Sequence, residues 1–107
     1  MRTEDNNMIK VLVKHPGHPA FFCWTPNTLE ALQGLVDGRI EVVQLHTDVV
    51  LICNEESFLR GLPDNVELLG MRLVGSIVLA GVDGEDFADF PGDYDVARVC
   101  YPQLWEV

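Results

Sequence analysis

Apolar and polar residues alternate from the eighth position. Ile9, Val11 and Val13 fall on one side of an extended chain and Lys10 and Lys14 on the other, so Met8–Lys14 predicts a half-buried strand. His15-Pro16-Gly17-His18 follows, with Pro and Gly at the two central positions of a type II turn, and Pro19 leads into the apolar run Ala20–Trp24, which Pro26 ends. The two runs read as a hairpin-like pair, although a type II turn is not the favoured connection for a tight two-residue hairpin. The period then changes. Asn27-Thr28-Leu29-Glu30 resembles an N-cap followed by a capping-box acid, and Leu29, Leu32, Leu35 and Val36 recur at helical spacing before Gly38, which suits a left-handed C-terminal cap. One principal helix is therefore predicted at about residues 27–37.

Arg39–Leu45 and Val49–Asn54 read as two strands joined by His46-Thr47-Asp48, a separation typical of a three-residue hairpin loop. Val49–Cys53 is apolar at every position, as is Leu73–Val82 apart from Ser76, with Gly75 and Gly81 allowing close backbone approach. Strands read this way when both faces are covered, which places both runs in the middle of a sheet. One amphipathic helix covers only one face. The second cover is either the C-terminal segment, where Tyr94, Val96, Val99, Cys100, Tyr101, Leu104 and Trp105 supply apolar surface, or a second copy of the protein; the tail is the favoured choice. Within that tail Asp93–Cys100 predicts a short helix stopping before Pro102. The fold class expected is α+β, a mainly antiparallel sheet of about five strands with one principal helix and a short C-terminal helical segment. A single globular domain is expected over 8–107, with 1–7 as a flexible extension.

Composition narrows the function classes. The chain of 107 residues carries 17 Asp+Glu against 7 Lys+Arg, a net charge of −10, and its bases at Arg2, Lys10, Lys14, Arg39, Arg60, Arg72 and Arg98 are scattered, so direct nucleic-acid binding is disfavoured. With 48% hydrophobic residues the sequence has too much apolar material for a disordered acidic tail. Cys23, Cys53 and Cys100 are odd in number, and Cys23 and Cys53 sit in apolar runs, so they read as free thiols, two of them buried, rather than as a disulfide framework. Met1–Asn7 holds no basic start followed by an apolar stretch, and Leu73–Val82 is about half the length of a bilayer span. A cytoplasmic protein with no membrane contact is expected.

No motif of established chemistry survives inspection. His15 and His18 flank a turn and are able to approach one another, but the Pro-Gly pair between them already explains the geometry, and a closed metal site needs four placed ligands. Asp83–Asp95 carries six acids in thirteen residues and no base. Counted from Asp83 as a calcium loop, the fifth position is Phe87 and the sixth Ala88, where a ligand and a glycine belong, so a solvated acidic loop able to meet a basic partner is the better reading. Glu55 and Glu56 are neighbours, which points them apart on a strand and argues against a general acid and base pair. Gly61-Leu62-Pro63-Asp64-Asn65 and Val74-Gly75-Ser76 offer neither a Walker lysine nor a dinucleotide glycine pattern. Neither metal nor cofactor is implied.

Several blocks together carry a family resemblance: Asn27–Leu32, Gly38–Val43, Val50–Glu56, Gly61–Asn65, and Val74–Gly81 with Gly84–Phe87. In order and spacing they resemble the small bacterial and phage family called domain of unknown function 3846, from about Met8 to Phe87. The resemblance implies a short protein similar to those of mobile elements and phages, and brings no activity with it. The chain departs from the pattern at the His15–His18 turn, at Ser57 where glycine is more usual, and after Phe90. The polar residues shared with the pattern are Asn54, Glu55, Glu56, Asn65, Glu85 and Asp86, which form the candidate partner- or ligand-binding site if the fold brings the Asn54–Glu56 turn to the Gly84–Asp86 loop.

The leading functional expectation is a small acidic accessory protein that binds another protein without catalysis, of the host-modulating or anti-defence kind. The alternative is a small-molecule-binding domain or minor enzyme with a pocket between the helix and the sheet, closed by Asn54 and Glu55. Monomer and homodimer are both compatible with the sequence.

Overall fold

The computed structural model describes residues 7–106. The expected extension over residues 1–7 lies, but for Asn7, outside them. The strands are β1 (Met8–Lys14), β2 (Phe21–Pro26), β3 (Ile40–His46), β4 (Val49–Asn54), β5 (Asp64–Leu68), β6 (Met71–Val74), β7 (Ile77–Asp83) and β8 (Asp86–Ala88). The helices are α1 (Leu29–Val36) and α2 (Tyr94–Cys100), followed by a single 3-10 turn at Pro102–Trp105. The fold is α+β. Its sheet runs β2-β1-β7-β4-β3, antiparallel throughout, with the short β8 paired to the end of β7, while β5 and β6 form a separate hairpin.

The expected helix begins one residue later than the Asn27–Glu30 capping box implies: Thr28 is the cap, its hydroxyl accepting from Ala31 N and satisfying one of the first-turn donors, so Glu30 falls one position short of the capping-box site. At the other end the left-handed residue is Asp37, at φ 61°, one position earlier than the glycine expected to take that role. The tail helix is capped in the same way, Asp93 accepting from Val96 N. The loop between β3 and β4 is two residues, Thr47-Asp48, because a bulge between Gln44 and His46 absorbs the third.

The apolar run Leu73–Val82 proves to be two strands. Gly75, at φ 76°, breaks it, sending Leu73 and Val74 into β6 and leaving Ile77–Asp83 as the central strand. Central position explains the apolar run in β4 and β7, since both faces of the sheet are covered. On one face Leu32 and Val36 of α1 pack over Val11, Val13, Ile52, Val78 and Ala80. On the other, Leu12, Leu51, Ile77 and Leu79 lie under Leu68 and Leu73 of the β5–β6 hairpin and under Phe90, Ala97, Tyr101 and Leu104. The tail covers the second face as expected, joined by the β5–β6 hairpin, which periodicity alone had not separated from its neighbours. That hairpin turns at Leu69 and Gly70, φ 49° and 80°, the pair of left-handed residues a two-residue turn of this kind requires.

Lys14 is 2% exposed on the second face, where Nζ donates to the His15 carbonyl (3.0 Å) and to Asn65 Oδ1 (2.9 Å). Burial pushes its ammonium below the usual 10.5. In the alkaline range below 10.5 the unfolded chain therefore binds more protons at this site than the folded one, so stability rises with pH there. Urea midpoints of the protein and of Lys14→Met, taken from pH 7 to 10, should move in favour of the lysine as pH rises.

Candidate functional site

The six polar positions singled out in the sequence fall into two groups. β4 and β7 are antiparallel, with Ile52 across from Val78 and Val49 across from Gly81, so Asn54 lies at the start of β7 and Glu85 and Asp86 lie beyond its other end. The eight residue steps from Ser76 to Gly84 span about 25 Å at strand rise. No single patch joins the two turns.

At the first end Asn54 and Asn65 bind the main chain. Asn54 is 2% exposed, and its Nδ2 donates to the carbonyls of Val36 and Asp37 (3.1 and 3.0 Å) while Oδ1 accepts from Glu56 N (2.7 Å). It closes the C-terminus of α1, where carbonyls have no partner within the helix. A Cβ on Gly38 would meet Asn54 Nδ2 at 2.6 Å, which explains the glycine. Asn65 binds the end of β1 to the break before β7, its Nδ2 donating to the carbonyls of Lys14 (2.9 Å) and Gly75 (2.7 Å). Glu55 and Glu56 are exposed, Glu55 lying 3.5 Å from Arg39.

The histidines of the proline turn have separate engagements. His15 Nδ1 lies 2.6 Å from Ser76 Oγ, and His18 Nδ1 lies 3.0 Å from the Pro16 carbonyl. Among the described residues, no three His, Cys, Asp or Glu side chains are grouped to hold a metal ion. Cys53 is buried, and that burial, then the nearby Glu41, pushes its thiol pKa up; Cys23 is half-buried and Cys100 exposed, and all three are free.

At the second end lies a cleft of about 810 Å³ between the first turn of α1 and the β7–β8 hairpin. Ile9, Leu32 and Phe87 form part of its wall, and Asp83, Glu85, Asp86 and Asp89 supply four carboxylates. The main chain builds it: Asp89 and Phe90 insert beside β1, with Asp89 Oδ1 accepting from Lys10 N (2.8 Å) and Phe90 N donating to the Lys10 carbonyl (2.8 Å). Asn27 Nδ2 donates to the Phe87 carbonyl (3.0 Å), tying the helix entry to β8. Among the described residues Asp83, Glu85 and Asp86 form no ion pair, whereas Asp37, Asp64 and Glu55 each pair with an arginine. In the sequence Glu85 and Asp86 belong to the candidate site, and Asp83 and Asp89 only to the acidic loop Asp83–Asp95 able to meet a basic partner. The signal available was the hairpin turn at Gly84, φ 66°, which folds Asp83 back across from Asp86. The crevice between helix and sheet exists, at the opposite end from Asn54 and Glu55.

The family model described as Domain of unknown function (DUF3846) matches residues 9–99. The chain belongs to that family. No match is found among the curated proteins or the solved structures. The matched span takes in both the Asn54 clamp and the DUF3846 chain's whole acidic cleft except Asn7. Among the described residues no helix is long and apolar enough to cross a membrane.

Proposed function

We propose that this DUF3846 protein is a non-enzymatic binding module whose acidic cleft takes a basic segment of another protein. The observation that carries the reading is the set of three exposed carboxylates, Asp83, Glu85 and Asp86, on the rim of a cleft with no base to pair them among the described residues. Carboxylates so placed raise the local concentration of a cationic partner and orient it, and the net charge of −10 adds long-range attraction. An acidic face of this kind suits occupation of a basic nucleic-acid-binding groove, the host-modulating role that the phage and mobile-element resemblance suggests. A second reading rests on the cleft's volume, about 810 Å³, which suits a small cationic ligand.

A lysine-rich decapeptide and spermine, titrated at low salt, separate the two. The peptide should bind and weaken steeply with added salt, since exposed charges are screened over about 10 Å at 0.1 M. Asp83→Asn, Glu85→Gln and Asp86→Asn together should weaken it roughly tenfold, at a few tenths to 1 kcal/mol for each exposed pair. Spermine binding in preference to the peptide moves the function to a small ligand, and a triple variant that binds the peptide as before places recognition elsewhere.

A further inference from the structure

The two edges of the sheet are treated differently. At the β2 edge the C-terminal segment supplies partners: Phe22 N donates to Tyr94 Oη (3.2 Å), and just before the strand Ala20 N donates to the Leu104 carbonyl (3.0 Å). At the β3 edge, among the described residues, no other segment pairs the outer side. β3 is seven residues long and carries neither proline nor lysine, the residues that commonly blunt such an edge.

Which backbone groups are open follows from one bond. The Arg39 carbonyl accepts from Glu55 N (2.8 Å), so positions 39, 41 and 43 turn their main-chain groups to β4, and Ile40, Val42 and Gln44 turn theirs outward. The bulge after Gln44 ends the regular edge there. The open row is therefore centred on Val42, whose side chain is 45% exposed.

We propose that β3 joins two copies of this chain, antiparallel and two-fold about Val42, into one continuous sheet. The two-fold places Val42 against Val42, Ile40 against Gln44 and Glu41 against Val43, so no like charges stand directly opposite along the regular edge. Residues 39–46 hold one base and one acid, a charge-balanced strip in a chain of net charge −10, which lets two copies meet there.

Apolar surface near the edge fits the same symmetry. Leu59 is 90% exposed on the face that carries Val43, and Arg60 Nη1, donating to the Asp37 carbonyl (2.6 Å), holds its loop beside the start of β3. The pairing brings that start beside the bulged end of β3 in the second copy. There Leu45, Leu69 and Val96 border a mainly apolar cleft of about 410 Å³. A two-fold axis normal to the sheet keeps Leu59 and this cleft on one common face, so each copy offers a projection and a receptor to the other, as an isologous interface requires.

Light scattering and sedimentation of the full chain from about 5 to 500 μM test the proposal. The expected result is a dimer of twice the 12.0 kDa chain mass, with amide exchange at Ile40, Val42 and Gln44 slowing as concentration rises. Val42→Lys, which sets two ammonium groups against one another at the axis, should weaken the dimer at least roughly tenfold while leaving the circular dichroism of the monomer unchanged. Leu59→Asp should weaken it without touching the strand. The Asp83→Asn, Glu85→Gln, Asp86→Asn variant should still dimerise, so failure of the cleft reading and failure of this one are told apart. A 12.0 kDa species at every concentration, or a dimer indifferent to Val42→Lys, overturns the proposal.

Discussion

Gly81→Ala destabilises the protein by about 3 kcal/mol, the upper part of the usual range for forcing a methyl group into packed surroundings. The added Cβ would stand 2.0 Å from the Asp89 carbonyl oxygen and 3.3 Å from that of Ala88, and both contacts are backbone. No side-chain rotation relieves them. Relief requires the chain leaving β8 to lift away from β7, which breaks the bonds of Asp89 and Phe90 to Lys10 and displaces the acidic wall of the cleft. Urea denaturation reads the stability loss, and titration with the lysine-rich peptide should show weaker binding in the fraction that remains folded. Gly84→Ala is the control: it lies at φ 66° with nothing within 4 Å of the new Cβ, so its cost is conformational alone, on the order of 1 kcal/mol. Equal costs for the two variants would refute a packing origin for the Gly81 effect.

Asn54→Ala is expected to cost about 3 kcal/mol as well, through a different cause. The carboxamide serves the carbonyls of Val36 and Asp37 and the amide of Glu56, and its burial leaves little room for water to replace it. Each buried group stranded without a partner costs about 1–3 kcal/mol; Arg60 still serves Asp37, so two groups are stranded, and with Glu56 N only part-buried the sum stays in the lower half of about 2–6 kcal/mol. Asn54→Asp keeps the shape and turns an acceptor toward two carbonyls, so it should be no better than alanine. Glu55→Gln and Glu56→Gln, at exposed positions, should change stability by less than about 0.5 kcal/mol. Thermal unfolding of the four variants checks this order; an Asn54→Ala protein as stable as the glutamine variants would mean the clamp contributes nothing.

These two residues also mark how far the sequence was legible. Asn54 stood out as a polar residue ending an apolar strand, a position suited equally to a ligand contact and to a helix clamp. The choice depends on where the last carbonyls of α1 fall, which is set by packing between segments eighteen residues apart. Gly81 was legible as a close approach, but its partner was not, because the chain that crosses it returns from a hairpin whose direction is a tertiary matter. Gly75 was misread for a related reason: an apolar run with a glycine inside fits one bulged strand or two strands, and periodicity does not distinguish them.

By itself the sequence determined what local chemistry dictates: strands β1 to β4, the apolar core of β7, the segments of α1 and α2, the central places of β4 and β7, the tail as a cover, and the family. Side-chain period and capping groups act over a few residues, so they can be read along the chain. Tertiary structure alone decided that the two acidic turns stand at opposite ends of β7, that Asp83 and Asp89 join Glu85 and Asp86 around one cleft, and that β3 is left as the open edge. Strand order and pairing direction fix those relations, and they arise from burying both faces of the sheet at once, a condition that no single segment carries.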